Sequence, residues 1–215
     1  MKRALIFHGG WDGHEPRACA ELIARHLGGR EFDVTLSDTL AVLDDREALA
    51  RYDLITPLWT MGTITRDQER NLIEVVRGGV GLGGFHGGMG DAFRGALEYQ
   101  WMVGGQFVAH PDNIRPYRVR ITRPDDPIVA GLGDFTVTTE QYYMLVDPAN
   151  EVLAATTCSA VSAPWINGVE MPVVWKKHHG SGRVFYSALG HHAQEFLDVP
   201  AQLELTLRGL AWAAR

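Results

Sequence analysis

At 215 residues, 46% hydrophobic and 21% charged, the chain is long enough to bury a core without disulfides or metal staples. A formal net charge of −6, with acids and bases interleaved along the whole length, excludes the basic stripe of a nucleic-acid groove and leaves small molecules as the expected partners. No apolar run reaches the length of a membrane span, and MKRALIFHGG holds too short an apolar stretch for a secretory signal, so a cytoplasmic protein with no membrane contact is expected.

In chain order, Ala4 to Phe7 reads as a buried strand, and Pro16 to Leu27 as a helix with proline in its first turn, where the missing N–H does no harm. A strand at Asp33 to Leu36, a weak helix from Arg46 to Arg51 and a strand at Leu54 to Thr56, stopped by Pro57, follow. Thr65 caps a helix to Arg77, with Gln68 in the capping-box position and Gly78-Gly79 closing it. Val80 to Phe85 is the fourth strand. This βα series predicts a mainly parallel sheet with helices on both faces, a flavodoxin-like three-layer α/β fold.

Further on, Tyr117 to Ile121, Phe135 to Val137, Glu151 to Ala155, Pro172 to Lys176 and Arg183 to Ser187 are strand-like. The last two flank HHGSG, a glycine-containing hairpin connection that places His178 and His179 in a solvated turn. Leu203 to Trp212 closes as an amphipathic helix whose Trp212 packs either internally or in a seam between copies, leaving a homo-oligomer open. No linker or repeat interrupts the chain, so residues 1–215 form one domain in which the later strands extend or decorate the same sheet.

In open α/β sheets ligands bind beyond the carboxyl ends of the strands. The loops after strands one, three and four, HGGWDGHE, PLWTMGTIT and HGGMGD, should therefore share a crevice. The stretch LGGFHGGMGD sets five glycines around one histidine. GFHGG has the strand-turn-helix pattern that G-x-S-x-G proteins use for a nucleophile elbow, here carrying His86. Cys19, within the first helix, and Cys158 read as small core residues, since nothing nearby makes either thiol electropositive and open.

The same stretches carry a family resemblance. GWDGHE at 10–15, GFHGG at 84–88, GGQFVAHP at 104–111, DDPIVAGL at 125–132, TEQYYML at 139–145 and GSGRVFYSALGHHAQEF at 180–196 resemble the ThuA-like, trehalose-utilisation branch of the class I glutamine amidotransferase superfamily. That superfamily places a catalytic cysteine at the elbow. His86 in its place keeps the implied fold and denies the glutaminase chemistry. The resemblance implies disaccharide catabolism, with a 3-keto-glycoside as substrate class.

Within those motifs His14, His86, His110 and His191 lie in predicted loops, with His192 the less certain neighbour of His191. His26 reads as solvated, and His8 as either a strand-end structural group or a ligand. Glu140 adds a carboxylate able to orient a histidine or bind a metal, against a reading as an exposed strand-end acid. Asp12 and Glu15 are weaker acids of interest, Glu15 also suiting the N-terminus of its helix. Trp11, Trp59, Tyr142 and Tyr143 would suit stacking on a pyranose, against a reading as core or rim packing. The expected catalytic set is His86, His110, Glu140 and His191, with Asp12, His14, Trp59 and Tyr142 binding the sugar. No compact ligand spacing signals a metal; any Zn²⁺ or Mn²⁺ site would be assembled from distant loops, with His14, His86, His110, Glu140 and His191 as candidates. Two functions fit: an enzyme that removes the proton beside a keto group and expels the glycosidic oxygen, or a noncatalytic sugar-binding or regulatory domain.

Overall fold

The computed structural model describes residues 1–215, and its nine-stranded sheet grows out of the alternation seen in the sequence. β1 (Lys2–Gly10), α1 (Pro16–Gly28), β2 (Phe32–Ser37), α2 (Arg46–Leu49), β3 (Leu54–Thr60), α3 (Arg66–Arg77) and β4 (Gly81–Phe85) form the βα series. β1, β2, β3 and β4 pair in parallel, with Ala4 opposite Leu54 and Leu54 opposite Gly81. Ala4 to Phe7 are all buried, as strands covered on both faces must be. The capping box at Thr65 forms as expected: its Oγ1 accepts the Gln68 N–H at 3.1 Å, and Gln68 Oε1 accepts the Thr65 N–H at 3.0 Å.

α4 (His86–Gly90) and α5 (Leu97–Val103) lead to β5 (Gly105–Ala109), followed by β6 (Ile114–Ile121), β7 (Phe135–Glu140), β8 (Tyr143–Val146), β9 (Glu151–Thr157), β10 (Glu170–His179) and β11 (Gly182–Ser187). The strand order β2-β1-β3-β4-β11-β10-β9-β6-β7 starts parallel and turns antiparallel after β11, so the later strands do extend the same sheet. β5 and β8 instead pair with each other in a separate two-stranded ribbon. α6 (Ala193–Asp198) and α7 (Pro200–Ala213) close the chain. α7 lies against β4 because glycine permits it: a β-carbon at Gly81 would stand 2.1 Å from the Ala213 carbonyl oxygen.

Three local expectations are corrected. Pro57 does not stop β3, which continues to Thr60 paired with β1. β4 pairs with β3 only at Leu54 and Ile55, so no ladder on that side asks Pro57 for an N–H. The HHGSG hairpin turn is shorter than its sequence suggests, since His178 and His179 continue β10 opposite Arg183 and Gly182. His179 is buried, with its Nε2 accepting from Arg77 Nε at 3.2 Å; cross-strand pairing and that guanidinium outweigh the turn propensity of the glycine. The final helix starts at Pro200, three residues earlier than its apolar pattern, and Trp212 packs internally at the core's edge with Lys176 Nζ 5.1 Å from its ring centre.

The sheet order reverses at β1, between β2 and β3, which puts the switch point beside the carboxyl ends of β1, β3 and β4.

Candidate active site

Phe85 ends β4 in extended backbone, and His86 follows with φ of 47°, a left-handed conformation that a β-carbon resists by about 1–2 kcal/mol. Two contacts from the β11 side hold it there. The Tyr186 hydroxyl donates to the His86 carbonyl at 3.1 Å, and His86 Nδ1 donates to the Ala188 carbonyl at 2.9 Å. That second bond fixes the tautomer, so Nε2 carries a lone pair and points away from the sheet end. Gly87 gives the next loop room: a β-carbon there would lie 2.4 Å from Cε1 of His14.

Three more buried side chains, from three other parts of the chain, meet in front of Nε2. Glu140 Oε2, from the end of β7, is 3.2 Å from His86 Nε2 and 3.1 Å from His191 Nδ1, and those two nitrogens are 3.2 Å apart. His14 Nε2 stands 3.8 Å from the same oxygen, with its Nδ1 hydrogen-bonded to Thr60 Oγ1 at 2.8 Å. All four ligand atoms lie within 4.8 Å of one another. A tetrahedral zinc with bonds near 2.0–2.1 Å needs ligand-to-ligand edges of about 3.3 Å, so the triangle of His86, His191 and Glu140 is close to one face of such a site. Three imidazoles and one carboxylate also suit that ion chemically, and the bonds to Thr60 and Ala188 are the outer contacts that aim histidine ligands.

Burial is the main force on the His86 imidazole and lowers its pKa to about 4, Glu140 partly opposing it, so the ring is neutral at pH 7. For Glu140 burial acts the other way, but contacts with His14, His191 and His86 outweigh it and hold the carboxyl well below the usual range. The site thus holds a carboxylate beside the lone pair of a neutral His86 imidazole.

His110 joins from the rim. Its Nε2 is 3.5 Å from the other Glu140 oxygen, its side chain is 36% exposed, and its Nδ1 has no hydrogen-bond partner. Tyr142 is buried with its ring stacked on His86 at 4.2 Å, forming a wall of the cluster. Trp59 lies partly buried across Gly9 and Gly62, and Asp12 is exposed in a short 3-10 turn, outside the set of four converging groups. Trp11 is exposed with its ring 4.7 Å from that of His14, and His192 sits beside His191 at 3.9 Å between ring centres. Glu140 is no exposed strand-end acid. His8 and His26 are partly buried and stand outside the cluster, and both cysteines are buried in the core. Thr60, the Ala188 carbonyl and Glu195, whose carboxylate accepts the His191 N–H at 3.1 Å, were not singled out from the sequence. Thr60 lies in the loop PLWTMGTIT, but only the register of β3 shows which residue faces His14.

These features define a class: an α/β protein whose fourth-strand elbow carries a buried imidazole within a histidine–carboxylate cluster. The chain belongs to the ThuA family, described as trehalose utilisation, which matches residues 3–213. A ThuA-like protein of Bacteroides uniformis is 19% identical, over 99% of this chain and 91% of that one, with a TM-score of 0.82. A ThuA-like protein of Parabacteroides merdae is 18% identical over 99% and 89%, with a TM-score of 0.78. A cytoplasmic protein of Salmonella typhimurium is 14% identical over the full length of both chains, with a TM-score of 0.67. No curated protein sequence matches this one. No helix is long and apolar enough to cross a membrane.

Proposed function

We propose that this ThuA-family chain is an enzyme of the cytoplasm that cleaves a keto-glycoside by proton abstraction and elimination, with a divalent metal held by His14, His86, His191 and Glu140. The convergence of those four groups on one buried point carries the reading, with the family's description pointing to a disaccharide. Bound there, zinc or manganese would supply a Lewis acid for a sugar ketone. The remaining steps fall to the chain's own residues. His110 is the base, because its side chain is the one of the cluster imidazoles that reaches the rim, while His14, His86 and His191 are buried. It removes the C2 proton next to the C3 ketone, the C1–C2 double bond forms, and the C1–oxygen bond breaks. The imidazolium left on His110 then returns its proton to the departing oxygen. Glu140 places His110 through the oxygen not turned to the other histidines. Trp11, exposed beside His14, offers a flat apolar face to the sugar ring.

The role expected of His86 and His191 changes with their burial: both become ligands, and acid–base work moves to the rim. The test is incubation with 3-keto-trehalose in deuterated water, following sugar release and deuterium exchange at C2. Wild type should give both, and His110→Ala neither, while keeping its metal content. A folded, metal-loaded protein that binds the sugar yet gives neither release nor exchange would establish the binding-domain alternative.

A further inference from the structure

His191 stands outside regular structure, in the short connection between the end of β11 at Ser187 and the start of α6 at Ala193. Two backbone donors of this turn are taken by carboxylates. The His191 N–H donates to Glu195 Oε2 at 3.1 Å, and the Ala193 N–H donates to Glu15 Oε2 at 3.1 Å. The two acids come from different elements, Glu195 from α6 itself and Glu15 from the junction between His14 and α1.

Glu15 does not follow its local rule. Glu15 is the N-cap of α1 but makes no capping bond to it, and its φ is 45°. Glycine would adopt that conformation more easily, by about 1 kcal/mol or more, and Glu15 is exposed, so packing does not require a long side chain. Its carboxylate crosses to the turn instead. Glu195, at the third position of α6, is partly buried and turns its carboxylate back to the His191 N–H. Glu15 holds its conformation at a local cost, and the carboxylates of both residues hold the His191 turn.

We infer that Glu15 and Glu195 are positioning residues that fix the turn at 190–193 so that His191 Nδ1 meets Glu140 Oε2. The inference rests on the metal-cluster reading above. Because Glu15 directly follows His14, one side chain also ties the His14 loop to the His191 loop, which sets the separation of two ligands donated by distant parts of the chain. Loss of such an outer contact typically lowers metal affinity by about 10–100-fold.

The test uses the full chain and four variants, Glu195→Ala, Glu195→Gln, Glu15→Gly and Glu15→Gln. Zinc affinity is measured by competition with a chromophoric chelator, alongside thermal melting. Glu195→Ala should weaken zinc binding about tenfold or more, while Glu195→Gln and Glu15→Gln, which keep an acceptor oxygen, stay within about threefold of wild type. Glu15→Gly relieves the backbone and removes the clamp, so zinc affinity should fall about tenfold or more, as for a lost outer contact, with the melting temperature unchanged or raised. A purely structural role would lower both together. In parallel, imidazole resonances of the metal-free, ¹⁵N-histidine-labelled protein should show a sharp His191 signal that broadens in Glu195→Ala and Glu15→Gly. Wild-type zinc affinity in those two variants, or equal losses in the alanine and glutamine variants of Glu195, overturns the inference. If wild type binds no zinc the cluster reading fails, and the His191 signal decides this one alone: broadening upholds the clamp and an unchanged signal refutes it. Should Glu195→Ala not fold, Glu15→Gly at its exposed position carries the test.

Discussion

Gly87→Ala adds a single methyl group to the elbow, and the structure says where it goes. The new carbon would lie 2.4 Å from Cε1 and 2.6 Å from Nδ1 of His14, where ordinary contact starts near 3.4 Å, and 3.0 Å from the Tyr142 hydroxyl. Tyr142 is buried and stacked on His86, so little relief comes from that side. His14 must withdraw by about 1 Å, a distance the crowded interior resists. Its Nδ1 sits 2.8 Å from Thr60 Oγ1, and losing that bond costs about 1 kcal/mol while the crowding costs about 1–3 kcal/mol. At about 2–4 °C per kcal/mol for a domain of this size, the melting temperature should fall by about 4–16 °C. Function should suffer more, since a misplacement of about 1 Å in a catalytic constellation can cost about 100-fold. Thermal melting, zinc competition and turnover on a 3-keto-glycoside measure the three quantities, with Gly95→Ala as control because a β-carbon there meets nothing within 4 Å. Wild-type zinc affinity and turnover in Gly87→Ala would show that His14 is not held where the reasoning requires it.

Glu140→Gln should lower turnover by about 10²–10⁴-fold and abolish tight zinc binding while circular dichroism stays native; retained zinc would remove Glu140 from the ligand set. Protein purified without an affinity tag should carry about one equivalent of zinc or manganese, and less than about a tenth of an equivalent with chelator-insensitive activity would leave the imidazoles as acid–base groups only. Alkylating reagents should leave activity intact, because both thiols are buried and burial pushes the Cys19 thiol up to about 12; glutamine-dependent ammonia release lost in Cys19→Ala or Cys158→Ala would contradict this. Burial, then the Arg77 and Lys177 charges, lower the His179 pKa below 6.5, so the unfolded chain takes up this proton first. His179's share of stability is therefore intact above pH 6.5 and lost as the pH falls below it; His179→Gln should flatten the loss of melting temperature between pH 7 and 5, and an unchanged slope would refute the assignment.

The sequence shows the elements where one period or one cap dominates. Thr65 and Gln68 announce α3, and the unbroken apolar run of Ala4 to Phe7 announces a strand covered on both faces. It misleads where a residue's usual habit yields to its neighbours. Pro57 sits within a strand because the β4 ladder has already ended, and His179 leaves a turn for a strand because Arg77 waits behind it. The site divides the same way. The loops that follow parallel strands are legible, so His14 and His86 can be placed in one crevice from topology alone. Glu140 ends a strand and His191 follows one whose places in the sheet the sequence does not reveal, and their motifs were visible only through the family resemblance. The depth of each residue was not legible at all: nothing in the spacing says that Tyr142 is buried against His86 while Trp11, beside His14, is exposed.

Depth is what separates the roles. A nucleophile or base has to meet substrate arriving from solvent, whereas a metal ligand need not. An elbow suits a thiol because it lifts the reactive atom into the open. Here the elbow residue is 1% exposed, its Nδ1 is committed to a backbone carbonyl, and its Nε2 faces a carboxylate and a second imidazole. The left-handed backbone at His86 thus serves convergence rather than display. Glycines next to it let neighbouring rings close in, which a displayed side chain would not need. The cost of holding a neutral imidazole beside Glu140 makes sense when a cation sits between them, and Glu140 then has one oxygen for that cluster and one for His110 at the rim. On the proposed reading, the imidazole at the elbow forms the floor of a metal site, and the chemistry lies outward at the first histidine that substrate can touch.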